Sequence, residues 1–342
     1  MTTIGESVLI LLLKRRKHLN KLEKIGFYTL EDFRAANVSS RSPLWRCELI
    51  LTDKCNFKCP YCMPLTPKYS KELSFLEAIR VVRLWSRQGL KNIRFSGGEP
   101  TLWPYLETLV HYSKASNVER IAISTNGSAS LKYYERLCDA GVDDFSISLD
   151  ACCASTANKM AGTNCSYKKI LDNIEALACR AYVTVGVVLT KDNIAEANAI
   201  IEKASDLGVA DIRIISAAQW NSNEIKQLNI DQNVLDKHPI LKYRINNFKD
   251  GRNVRGLTSL DSHKCPLVLD DMAVLGDYHF PCIIYMRQNG DPIAKMSDSF
   301  RKERLDWYRN HDTHCDSICK STCLDVCIDY NNRVERLNTI EK

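Results

Sequence analysis

Cys55, Cys59 and Cys62 stand in the run CNFKCPYC, with three and then two residues between them, directly after an apolar strand-like segment. Three thiolates at this spacing can all face inward from one tight loop. A [4Fe-4S] cube has four irons, so one iron would keep an open position. An open iron can chelate the amino and carboxylate groups of S-adenosylmethionine (SAM) and hold its sulfonium where an electron cleaves a C–S bond. The product, a 5′-deoxyadenosyl radical, takes hydrogen from unactivated carbon. The competing readings are a zinc knuckle and a chance cluster; zinc calls for a fourth Cys or His nearby, and none follows closely.

A second group of thiols lies further along. Cys265 and Cys282 are followed by Cys315, Cys319, Cys323 and Cys327, the last four at a regular spacing of four. On a helix that spacing puts all four on one side, and on a loop it lets them surround a cluster. Fifteen cysteines in 342 residues, so grouped, favour metal over disulfides and point to a reducing cytoplasm. Zinc and disulfides stay open here, but the oxygen-sensitive first cluster favours iron–sulfur. Cys47, Cys138, Cys152, Cys153, Cys165 and Cys179 read by default as small buried hydrophobes. Cys152 and Cys153 are also candidate catalytic residues, because a thiol just past the fourth strand could return a hydrogen atom to a substrate radical.

The elements that must position these residues alternate in kind. Apolar, β-branched runs at 48–52, 92–96, 120–125, 144–149, 182–190 and 211–216 read as six strands separated by helical patterns. Leu76, Ile79, Val82 and Leu84 mark one helix, and 131–140 another, closed by Gly141. Six βα units suit an α/β fold, a partial (β/α)6 TIM-like barrel with its chemistry at the C-terminal strand ends. The segments TDKC, SGGEP, STNGS, SLDACC, TKDN and SAAQW fall there. The expected partition is an N-terminal helical extension at 1–45, the barrel at 46–220, a linker helix region at 221–260 and a small C-terminal iron–sulfur domain at 261–342. An Asn-Gly pair inside 287–292 suggests a hairpin there.

The apolar run from Val8 to Leu13 is too short to span a bilayer, and its positive charges follow it, so it reads as an amphipathic helix. A formal net charge of +6 is modest, and the basic cluster from Lys14 to Lys24 reads as a solvated helix face. Neither a membrane nor nucleic acid is an expected partner.

CNFKCPYC, with Tyr61 before its last cysteine and Gly97-Gly98-Glu99-Pro100 after the second strand, resembles the radical SAM superfamily. The likeness is strongest to its branch of molybdenum-cofactor GTP cyclases and peptide maturases. That resemblance implies that Gly97 and Gly98 approach the methionine end of SAM, that Glu99 accepts from its ammonium group, and that Tyr61 lies by the adenine. Ser124, Asn126 and Ser148 would meet ribose or substrate. The C-terminal cysteines resemble the SPASM or shorter twitch extension, which implies one or two auxiliary [4Fe-4S] clusters. The family's division would give Cys265, Cys282 and Cys327 to one cluster and Cys315, Cys319 and Cys323 to another; one complete cluster with two spectator cysteines is equally open.

Against GTP cyclisation, the resemblance aligns Glu48 with an Arg of the cyclases and Thr184 with their Lys, keeping only Arg94, and the tail at 338–342 lacks their paired glycines. The expected activity is epimerisation or oxidation of a small hydroxylated metabolite of sugar or aminocyclitol type, with flavodoxin or ferredoxin as electron donor. The alternatives are a peptide maturase, for which residues 1–45 look too short to recognise a leader, and a non-enzymatic iron–sulfur scaffold that binds SAM.

Overall fold

The computed structural model describes residues 33–217, 225 and 228–337. The apolar and basic runs before residue 33, Trp220 and the tail at 338–342 lie outside the described residues. Six strands, β1 (Arg46–Thr52), β2 (Asn92–Gly97), β3 (Arg120–Thr125), β4 (Asp144–Ser148), β5 (Tyr182–Leu189) and β6 (Asp211–Ser216), pair in parallel in chain order. Each lies within two residues of its expected bounds. Helices connect them, as parallel neighbours require. The result is the anticipated open, partial barrel.

Ser74 opens the helix Phe75–Ser86 with a capping box to Glu77, and Gly141 closes Leu131–Ala140 in a left-handed conformation. The first of these buries Ala78, Val81, Val82, Leu84 and Trp85. Leu76 is 76% exposed, against expectation. Two residues from Ala78 is about 200° of helical rotation, so it falls on the opposite face.

The expected boundary near residue 261 does not interrupt the sheet. β7 (Asp271–Leu275) pairs in parallel with the free side of β1, followed by antiparallel β8 (Tyr278–Phe280) and β9 (Ala294–Lys295), giving the order 6-5-4-3-2-1-7-8-9. Without β7 one edge of β1 would carry unpaired backbone groups among buried side chains. The β7–β8 hairpin turns at Gly276, at φ +57°, where a Cβ would stand 2.5 Å from the Tyr69 carbonyl oxygen. The hairpin expected at 287–292 is absent. Asn289, at φ +59°, instead terminates the helix Ile283–Arg287, with Gly290 N donating to Tyr285 O.

Arg304 locks this added part. Its buried guanidinium donates to the carbonyls of Val268 (2.7 Å), Asp271 (2.5 Å), Phe280 (3.0 Å) and Pro281 (3.0 Å). It thus ties the helix Phe300–Asn310 to both strands of the hairpin. Replacing Arg304 by Met keeps the apolar stem and strands those four acceptors, so stability should fall by about 3 kcal/mol or more, read as a lowered urea midpoint. An unchanged midpoint would contradict this account.

Candidate active site and metal-binding thiols

A cavity of about 430 Å³ opens at the C-terminal ends of the barrel strands. Cys55, Cys59 and Cys62 line it, together with Tyr61, Gly97, Gly98, Ser124, Asn126 and Ser148. Nine of the residues singled out from sequence therefore meet at one place. The loop that carries the three thiols is seated by backbone contacts. Gly98 N donates to Thr52 O and Glu99 N to Lys54 O, each at 2.8 Å, while Lys58 N donates to Ala161 O at 2.8 Å. A Cβ on Gly97 would lie 2.3 Å from Thr52 O, and one on Gly98 2.3 Å from Lys54 O. These glycines thus let the cysteine loop pack against the end of β2.

Three thiols from one loop, lining one cavity, are a donor set that would hold three irons of a [4Fe-4S] cluster. Burial pushes the Cys59 thiol up to about 11 and that of Cys55 up as well. A bound metal would reverse that direction.

Glu99 stands behind the cavity rather than in its lining. Its carboxylate accepts from Asn126 N (2.7 Å), Thr125 Oγ1 (2.8 Å), Thr101 Oγ1 (2.7 Å) and Thr101 N (3.1 Å). It braces the ends of β2 and β3 and so orients Asn126, whose side-chain amide reaches Asn56 Oδ1 at 2.8 Å. Ser124 Oγ accepts from the Arg94 guanidinium at 3.1 Å. The Tyr61 hydroxyl donates to Asp150, whose other carboxylate oxygen accepts from Val188 N at 2.6 Å. Burial lifts the Asp150 carboxyl to about 6.

Cys152 and Cys153 are not among the cavity-lining residues. The Cys152 thiol donates to Glu196 at 3.2 Å. Cys153 caps the helix Ala154–Ala161, where the Ser155 and Thr156 hydroxyls bring its thiol down to about 7. The cysteine that does line the cavity past β4 is Cys165, which sequence reasoning left as a core residue.

Sequence reasoning also missed Asp150, Arg213, Arg255, Arg287 and Gln288, all in the lining. Arg213 carried a usable signal, being a charged residue between Ile212 and Ile214 in β6. Burial, reinforced by Arg94 and Arg46, lowers its guanidinium to about 10. Arg255 and Arg287 come from a loop and a short helix beyond the barrel and follow no periodic pattern.

Cys265, Cys282, Cys319, Cys323 and Cys327 line a second, smaller cavity with Tyr285 and Trp307. Cys315 is exposed and lies outside it. The run at 315–327 is therefore neither one helix face nor one loop: Cys319 lies in the helix Ser317–Thr322, Cys323 caps it, and Cys327 belongs to Asp325–Leu337. Cys319 and Cys323, expected in the second group of three, line this cavity together with Cys265, Cys282 and Cys327 of the first. Burial and the neighbouring thiols together push Cys323 far up, and burial lifts Cys282 to about 12. His311 Nε2 lies 3.7 Å from Cys319 Sγ and offers a non-thiol donor.

Among the described residues no helix is long and apolar enough to cross a membrane. Residues 49–204 match the family model of the radical SAM superfamily. The chain is 34% identical over 160 residues to a GTP 3′,8-cyclase of Staphylococcus saprophyticus, covering 44% of this chain and 47% of the relative. It is 31% identical over 210 residues to the molybdenum cofactor biosynthesis protein moc-5 of Caenorhabditis elegans, covering 59% of this chain and 34% of that one. The matches thus span less than half the length of either relative. The fold is shared with SuiB of Streptococcus suis, solved with SAM bound, at a TM-score of 0.56 and 16% identity over 87% of this chain and 68% of SuiB. It is shared also with anSMEcpe bound to AdoMet, at 0.53 and 14% over 86% and 99%. With its three-cysteine loop seated on the glycines of a GGEP segment, the chain carries a radical SAM domain across residues 49–204.

Proposed function

We propose that Cys55, Cys59 and Cys62 hold a [4Fe-4S] cluster beside SAM, and that the enzyme epimerises or oxidises a small hydroxylated metabolite of sugar or aminocyclitol type. The observation that carries this reading is the cavity itself. Ser96, Ser124, Asn126, Ser148 and Gln288 supply hydroxyls and amides to its wall, groups that would orient a hydroxylated substrate. When bound, the cluster would supply the electron that cleaves SAM to methionine and a 5′-deoxyadenosyl radical.

The chain's own residues would do the rest. Tyr61, fixed by Asp150 to β5, offers a rigid ring to the adenine. Ser124, oriented by Arg94, and Ser148 offer hydroxyls to ribose or substrate. Asn126 is oriented through Glu99. A flavodoxin or ferredoxin would deliver the electron. A peptide substrate is the second reading, supported by the SuiB structure solved with its precursor peptide SuiA.

The convergence of five thiols on one cavity supports a single auxiliary cluster held by four of Cys265, Cys282, Cys319, Cys323 and Cys327. Cys315 would be a spectator.

Anaerobic reconstitution and reduction with SAM should release 5′-deoxyadenosine, and Cys59→Ala should abolish the release; activity retained in that variant would remove the triad from the mechanism. Deuterium transfer into 5′-deoxyadenosine from candidate sugars, peptides or GTP then distinguishes the substrates. A variant with Cys55, Cys59 and Cys62 all replaced by Ala should retain about four irons per chain, whereas about eight would mean two auxiliary clusters. For Asp150 the sign follows from burial, which raises its native pKa from 3.8 to about 6. The native state then holds a proton that the unfolded chain has released, so stability falls as pH rises from about 4 to about 6 and levels above that. Asp150→Asn should lack this fall when urea midpoints are compared across the range.

A further inference from the structure

We propose that the substrate of this site carries an anionic group, a carboxylate or a phosphate, bound by Arg213, Arg255 and Arg287. The inference rests on the reading that the cavity takes a small substrate, and it adds the substrate's charge class.

Four other buried or half-buried arginines are ion-paired, whereas Arg304 is held mainly by backbone carbonyls. Arg34 has Asp270 at 2.5 Å, Arg46 has Asp271 at 3.2 Å, Arg120 has Asp144 at 3.4 Å and Arg244 has Asp325 at 2.5 Å. The three guanidiniums that line the cavity have no such partner among the described residues. Arg213 makes one long hydrogen bond, 3.5 Å to Ser146 Oγ, and its Nε is buried without an acceptor. Arg255 reaches the carbonyls of Thr322 and Ser216 at 3.4 Å each, and its Nε is likewise without an acceptor. Arg287 donates to the carbonyls of Met63 at 3.2 Å and Gly97 at 2.9 Å, neutral groups that leave its charge unbalanced.

The same lining holds two carboxylates, Glu48 and Asp150, against the three guanidiniums. Glu48 accepts from Ser96 Oγ at 2.6 Å, and Asp150 is held by Tyr61 and by Val188 N. SAM and the cluster together would not correct the imbalance, because the net +1 of SAM and the net −1 of a [4Fe-4S]2+ core with three thiolates cancel. The SAM carboxylate accounts for at most one of the three guanidiniums. Buried charge without a counterion is costly, and a guanidinium fork matches carboxylate and phosphate oxygens two at a time. An anionic substrate group would both offset that cost and fix the orientation of the carbon that loses hydrogen.

The test uses the reconstituted enzyme with SAM bound, titrated calorimetrically with malonate and with inorganic phosphate. Saturable binding of at least one anion is expected, weakening as salt is added, and the tighter of the two identifies the group. Arg255→Gln should weaken it about tenfold or more, the loss of one charge-assisted contact. Arg255→Lys, which keeps the charge, should retain most of the binding and guards against a folding artefact; Arg287→Gln is the independent second variant. Binding equal in wild type and in both Gln variants would overturn the proposal. So would an enzyme that releases 5′-deoxyadenosine yet binds neither anion, and that result would leave the SAM chemistry standing. An enzyme that binds the anion but never cleaves SAM would sink the radical reading and support this one.

Discussion

The site depends on backbone lying directly on backbone. Where the cysteine loop leaves β1 it meets the end of β2 so closely that any side chain at Gly97 or Gly98 would overlap the carbonyl oxygens of Thr52 and Lys54. Nothing flexible lies between them that could move aside. The positions of the three thiols therefore follow from the register of β1 against β2, in which Thr52 pairs with Gly97. That register is set by apolar side chains, Leu49, Ile50 and Leu51 against Ile93 and Phe95, all fully buried. Core packing and cluster geometry are in this sense one problem.

Seen from that contact, the GGEP segment changes meaning. Its glycines seat the loop, and its glutamate is saturated by four donors from the ends of β2 and β3. A buried carboxylate so surrounded is a brace: remove it, and Asn126 N, Thr125 Oγ1 and both Thr101 donors lose their acceptor. The segment shapes the cavity through the geometry of its neighbours.

The six strands were legible in the sequence because each is a short β-branched run bounded by polar or glycine-bearing residues, and period and length together leave little room for error. The triad was legible because metal-ligand spacing is local. What stayed hidden depends on distant chain segments. Arg287 follows the β7 strand that pairs with β1 more than 200 positions away, and Arg255 is held by a bridge to Leu324. The thiols at 315–327 looked like one regular series, but a helix end at Cys323 breaks the period and leaves Cys315 facing solvent. Cys152 and Cys153 stood at the correct end of the barrel. The chain turns there into the helix Ala154–Ala161, which carries both thiols toward Glu196 and away from the cavity.

The pairing of β7 with β1 also bears on why this barrel can work with six strands. An open barrel leaves its lateral side and upper rim exposed, whereas radical chemistry needs water and stray donors kept from the reacting carbon. Here the sheet continues past β1, and the segment after β8 folds back so that Ile283, Ile284 and Arg287 complete the wall next to Met63 and Gly97. Arg304 holds that segment through four carbonyls, without any acidic partner of its own. The part of the chain that gathers the second set of thiols is thus the same part that closes the first site. Its Cys282 stands immediately before the helix carrying Arg287, so metal at the second set of thiols and ligand in the cavity would be coupled through five residues of one helix.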